Sequence, residues 1–179
     1  ALQQLAEKAQ GVPKLAITAR RGLVLNLTDK DTAAIILGCP KGWRAETILD
    51  LADPLSTFDL TEGECGALDV DEAETYGCES AAIGLAKVAR LLPAAVVAQI
   101  ADAEANDLDA WVIRHGLLVV DAGDVFQYEH TQARTLKAVS EATVPLLDAQ
   151  DTRIVAFRPY DGGLEHLAII IGEPSTEKD

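Results

Sequence analysis

Residues 81–100 read AAIGLAKVARLLPAAVVAQI, and this stretch decides the fold. Over residues 81–92 the apolar positions Ala82, Leu85, Ala86, Ala89 and Leu92 recur at helical spacing and form one stripe. Pro93 has no amide hydrogen to donate, so a helix stops there. Residues 94–100, AAVVAQI, are then a short apolar run with β-branched Val96 and Val97, which reads as a buried strand. Helix, proline and buried strand in succession are the unit of an α/β domain.

The alternation continues in both directions. Downstream, Asn106 is a good helix cap, with Asp107 and Asp109 in the first turn, where the helix dipole favours acids. Leu108, Trp111, Val112 and His115 share one face, and Gly116 supplies the stop. Residues 117–120 (LLVV) read as another strand, and Asp121 caps a helix running to about residue 133. Upstream, residues 2–10 read as a helix ended by Gly11 and Pro13, and residues 14–18 (KLAIT) as a short buried strand. Residues 19–27 follow as a helix weakened by Gly22, and residues 33–37 (AAIIL) as a second strand. Residues 44–52 (RAETILDLA) are an amphipathic helix with Ile48, Leu51 and Ala52 inward. The pattern predicts α/β architecture, a substantially buried sheet with helices, and leaves the strand order open.

Composition narrows the function classes. The 179 residues carry 29 acids against 15 Lys and Arg, a formal charge of −14. That excess argues against nucleic-acid binding through a general basic face. With 49% hydrophobic residues the chain can bury a real core. No apolar run approaches the ~20 residues of a membrane helix, and the opening ALQQLAEK has no signal-peptide pattern. A cytoplasmic protein with reduced thiols is expected. Cys39, Cys65 and Cys78 form no CxxC pair, and His115, His130 and His166 are scattered, so no zinc site can be read. Residues 59–79 hold eight acids and no Lys or Arg, which reads as a solvated loop. Asp69 and Asp71 lack the further ligands and glycine of a calcium loop.

After Glu141 the character changes. Residues 152–159 (TRIVAFRP) alternate in the strand manner, Tyr160-Asp161-Gly162-Gly163 is a turn signal, and residues 164–172 (LEHLAIIIG) form the return strand. A lone hairpin is only marginally stable, so it should dock on the first domain or open a second.

This hairpin resembles the opening strands of GTP cyclohydrolase II, through Glu165-His166-Leu167-Ala168 and Gly172-Glu173. That family opens GTP in riboflavin biosynthesis, releasing formate and pyrophosphate and leaving a diaminopyrimidine phosphate. The preceding part resembles 3,4-dihydroxy-2-butanone 4-phosphate synthase, often fused upstream of the cyclohydrolase. The resemblance rests on Trp43-Arg44-Ala45-Glu46-Thr47-Ile48 with Ala52-Asp53-Pro54, on residues 77–92, and on residues 108–124. It implies a synthase-like mixed sheet over residues 1–143 and the truncated start of a cyclohydrolase domain over residues 144–179. Both families are dimeric, so a homodimer is expected.

The departures from the synthase pattern bear on activity. Where that family has G-H-T-E-A-A, this chain reads Gly77-Cys78-Glu79-Ser80-Ala81-Ala82. The family's catalytic, metal-binding His falls on Cys78, and its catalytic Glu on Gln99. Rearranging a ribulose phosphate needs acid/base groups and a divalent metal on the sugar oxygens. Gln cannot titrate, and thiols are poor Mg²⁺ ligands. The resemblance therefore implies a degenerate domain with no catalytic or metal-binding residues, kept for dimerisation or structure. Its vestigial pocket would comprise Arg44, Cys78, Ser80 and Gln99. The alternative is a regulatory module in which that pocket holds a sugar phosphate or nucleotide, with Arg44 as the phosphate contact. The family's zinc-binding cysteine cluster would lie downstream of this sequence.

Overall fold

The computed structural model describes residues 2–8, 11–30, 32–40, 42–56, 67–100, 107–160 and 163–174. The chain divides into two compact units, Ala1–Gln127 and Tyr128–Asp179.

The first unit contains α1 (Leu2–Lys8), β1 (Lys14–Thr18), α2 (Ala19–Val24), β2 (Ala34–Gly38), α3 (Ala45–Ala52), β3 (Asp69–Glu72), α4 (Cys78–Val88), β4 (Ala94–Val97) and α5 (Leu108–His115). The division falls within α6 (Ala122–Thr131). Four strands make one sheet in the order β3-β2-β1-β4, and every pair is antiparallel. The mixed sheet expected from the sequence is thus corrected for the described strands. Alternation in β1 and β2 sorts their side chains to two faces. Leu15, Ile17, Ile35 and Leu37 join Ala19 and Leu51 in one core, with Leu25, Trp43 and Ile48 against it. Ala16 and Ala34 face the other way, with Ala73 and Ile83. The sheet is therefore covered by α2 and α3 on one face and by α4 on the other.

Local chemistry sets the helix ends. Thr18 Oγ1 accepts from the Arg21 amide at 3.1 Å and caps α2. The Arg21 guanidinium donates to the carbonyls of Leu51 at 2.8 Å and Asp50 at 3.0 Å, tying α2 to the last turn of α3. Trp43 Nε1 donates to the Pro13 carbonyl at 2.7 Å, which fixes the approach to α3. In α5 the cap is Asp107, whose carboxylate accepts from the Ala110 amide at 3.0 Å. The cap expected at Asn106 lies outside the described residues. Gly116 ends α5 in the left-handed region at φ 62°, as its position requires.

Three expectations fail here. Asp69–Glu72, assigned to a solvated loop, is edge strand β3 paired to β2. All four of its residues are exposed, and Lys14 and Lys30 hold its acids by ion pairs to Asp71 and Glu72. The Glu72 carboxylate, through its hydrogen bond and then its charge, holds the Lys30 ammonium above the ordinary lysine pKa. Residues 117–120 are not a strand, and Leu118 is 96% exposed. Cys39 is disulfide-bonded rather than reduced, while Cys78 keeps an exposed free thiol.

The second unit holds a three-stranded antiparallel sheet, β5 (Lys137–Thr143), β6 (Thr152–Arg158) and β7 (His166–Ile171), in that order. The hairpin read from the sequence is β6–β7, with Thr152 opposite Ile171 and Phe157 opposite His166. A third strand joins it, because Lys137–Thr143 pairs with β6 through a bulge between Ala138 and Ser140. The break between units thus precedes β5, ahead of the 143/144 boundary drawn from the sequence. Asp161 and Gly162 of the expected turn lie outside the described residues. Among the described residues, no helix is long and apolar enough to cross a membrane.

Candidate functional site

A tight turn leads into α4. The Gly77 amide donates to the Glu74 carbonyl at 3.0 Å, and the buried Ser80 hydroxyl donates to the same oxygen at 2.6 Å. A Cβ at position 77 would stand 3.1 Å from Glu74 Cβ and 3.3 Å from its carbonyl oxygen, so glycine suits this close approach. Cys78 and Glu79 then open the helix, the carboxylate lying in the first turn.

The start of α4 faces the end of β4. Antiparallel pairing sets Lys14 of β1 opposite Val97 of β4. Gln99, two residues further on, therefore comes beside Val12. Between these elements lies a cleft of about 450 Å³, lined by Lys14, Cys78, Glu79 and Gln99 with Val12, Ile36, Val97 and Ala98. Among the described residues, its polar side-chain groups are a thiol, a carboxylate, an amide and an ammonium. The ammonium is already paired, with Lys14 Nζ 3.1 Å from Asp71 Oδ2. A second cleft of about 640 Å³ shares Ala98 and Gln99 and is lined also by Gln4, Trp111, Arg114 and His115. His115 Nδ1 lies 2.8 Å from the Trp111 carbonyl, an acceptor, so that nitrogen donates to it.

Of the four residues singled out from the sequence, Cys78 and Gln99 meet in the first cleft. Ser80 does not line it; its hydroxyl is committed to the Glu74 carbonyl. Arg44 is the exposed N-cap residue of α3 and is not among the lining residues. Lys14 was missed, since only the β1–β4 pairing brings it to the cleft and strand order is not visible in the residues.

No family model matches the chain. It is 42% identical over 177 residues to a GTP cyclohydrolase-2 of Azospirillum brasilense, covering 97% of this chain and 44% of that protein. The chain is similar in sequence to riboflavin-biosynthesis proteins. A riboflavin biosynthesis protein RibBA of Mycobacteroides abscessus is 26% identical over 177 residues, covering 92% of this chain and 42% of the relative. A probable bifunctional riboflavin biosynthesis protein, RIBA 2 of rice chloroplasts (Oryza sativa subsp. japonica), is 27% identical over 174 residues, covering 89% and 28%. The chain thus spans less than half the length of these relatives.

Proposed function

We propose that the chain is the N-terminal region of a GTP cyclohydrolase II-type protein of riboflavin biosynthesis, and that its first unit is a non-catalytic, synthase-like domain that serves dimerisation and structure. The second unit is then the start of the cyclohydrolase domain. The parent reaction is hydrolysis of GTP to a diaminopyrimidine phosphate, formate and pyrophosphate, with zinc held by residues outside this sequence. The observation that carries the reading is the donor set of the cleft. Synthase chemistry needs titrating groups and a hard cation on the sugar oxygens. Among the described residues, the cleft offers one carboxylate, Glu79, beside the thiol of Cys78, the amide of Gln99 and the ammonium of Lys14. Mg²⁺ prefers several oxygen ligands, and this set does not fit it.

The test is direct. The purified chain, given ribulose 5-phosphate with Mg²⁺, should release no formate and show no rise in melting temperature. Turnover would refute the non-catalytic assignment. Sedimentation should report a dimer at micromolar concentration, and a monomer would remove the dimerisation role. Formate release from GTP by this chain would contradict placing the cyclohydrolase chemistry outside it.

One observation favours a second reading, a regulatory module for a sugar phosphate or nucleotide. Gln99 separates two clefts, with Lys14 lining one and Arg114 the other. Cations on both sides of a shared amide suit a phosphorylated ligand. Saturable stabilisation by ribulose 5-phosphate or GTP without turnover would select this reading over the structural one.

A further inference from the structure

A smaller pocket, of about 250 Å³, opens in the first unit where α2, the end of α3 and the turn before β4 come together. Its apolar walls are Ile17, Val24, Ala52, Pro54, Leu92 and Pro93. The same segments expose Leu23, Leu55 and Leu91, the last two at 87% and 67%. Arg20 and Arg21 line the pocket as well. Arg21 is spent on the carbonyls of α3, but Arg20 makes no ion pair or hydrogen bond among the described residues. Neither do Lys87 and Arg90, which lie at the end of α4 and on the turn that delivers Leu92 and Pro93. The other cations of this unit whose side chains are described are all engaged: Lys14 and Lys30 with carboxylates, Arg44 and Arg114 in contacts of their own. Among the described residues, a chain with 29 acids thus keeps two uncommitted cations, Arg20 on α2 and Arg90 on the turn before β4, on the segments that frame one apolar pocket.

We propose that this pocket is a docking site for an acidic segment of a partner protein, which inserts one aliphatic side chain between α2 and the turn before β4. The volume falls below the roughly 300–1,000 Å³ of small-molecule sites, and suits a single side chain. Charge complementarity selects the partner. Unpaired Arg20 and Arg90 attract carboxylates, and in a two-fold contact between copies of this chain these like charges would oppose one another.

The experiment uses the 179-residue chain and a fluorescein-labelled seven-residue peptide of Asp and Glu with a central leucine, followed by anisotropy. The same peptide with a central serine is the comparison. The leucine peptide should bind at least about tenfold more tightly, the worth of burying one aliphatic side chain. Its affinity should fall several-fold between about 0.05 and about 0.5 M salt. It should also fall about tenfold in Arg20→Glu/Arg90→Glu, two exposed changes that leave the core intact. Equal affinity for the two peptides would overturn the pocket. Affinity indifferent to charge reversal would overturn the basic rim, and the absence of binding would overturn both. Vesicles of phosphatidylglycerol bound in place of the peptide would make the partner a membrane. Dimerisation lost in the charge-reversal variant would make it a second copy. Either result would replace the acidic segment as occupant.

Discussion

Gly22→Ala is expected to destabilise the first unit although alanine is the better helix former. A Cβ at position 22 would stand 2.5 Å from Ile35 Cδ1, 3.1 Å from Thr28 Cγ2 and 3.3 Å from Ile35 Cγ1. Ile35 is fully buried in the core that α2 covers, so its methyl has no free space to swing into. The helix gains about 1 kcal/mol from replacing glycine by alanine. Overpacking a filled core costs about 1–3 kcal/mol, so the net expectation is a loss of up to about 2 kcal/mol. Ile35→Val removes Cδ1 and alone costs about 0.5–1.5 kcal/mol. In that background Gly22→Ala should be neutral or stabilising, a coupling of about 1–3 kcal/mol in the double-mutant cycle, the overpacking cost relieved. Urea unfolding followed by tryptophan fluorescence reads the first unit alone, because the chain's two tryptophans, Trp43 and Trp111, both lie in it. A Gly22→Ala variant more stable than the parent, or an additive cycle, would show that α2 is not seated on Ile35.

Other expectations follow from single contacts. Arg21→Met should cost about 1.5–3 kcal/mol in the same urea assay, since it leaves two carbonyls at the end of α3 without their charged donor; a loss no larger than that of Arg20→Met would refute the tie. Ser80→Ala should cost about 1 kcal/mol in the urea assay, because the hydroxyl serves the Glu74 carbonyl; an unchanged stability would refute that assignment. The Lys30 pKa is raised, so the Lys30–Glu72 contribution is fully present below lysine's unfolded pKa and lost as pH rises through the higher folded value. An NMR titration of the Lys30 Cε should show this, and Glu72→Gln should bring the midpoint down; unchanged midpoints would refute the pairing. Cys78→His/Gln99→Glu should gain Mn²⁺ affinity by calorimetry, with no gain meaning that these two positions do not converge on one site.

The elements legible in the residues were those whose pattern coincides with their burial. KLAIT at β1 announces itself because apolar periodicity and packing agree, whereas in residues 81–92 the helix was legible but its buried face was not: α4 ends at Val88 and buries Ser80, Ala81, Ile83 and Gly84, while Leu85 and Leu92 of the expected stripe are exposed. Two elements broke that rule in opposite directions. Asp69–Glu72 has the composition of a solvated segment, yet it pairs as an edge strand, because β2 supplies the backbone partners and two lysines pair with two of its three acids. An acidic edge strand also resists pairing with other chains. Residues 117–120 have the composition of a buried strand but find no sheet edge to join. Strand propensity is thus realised only where a neighbouring strand receives it.

The same distinction governs the cleft. The chemical kinds at Cys78 and Gln99, a thiol and an amide, are properties of residues and are legible without a structure. Their convergence is a property of the sheet. It follows from β4 running antiparallel to β1 with Lys14 opposite Val97, which also places an ammonium where no motif announces one. That ammonium changes the chemistry of the cleft. Lys14 is held against Asp71 on β3, so a carboxylate or phosphate entering beside Cys78 would compete with a partner the sheet already supplies. The edge strand and the cleft are therefore coupled: Asp71→Asn should release Lys14 toward the cleft and raise its affinity for a phosphorylated ligand. An unaltered affinity would mean that the ion pair serves β3 alone.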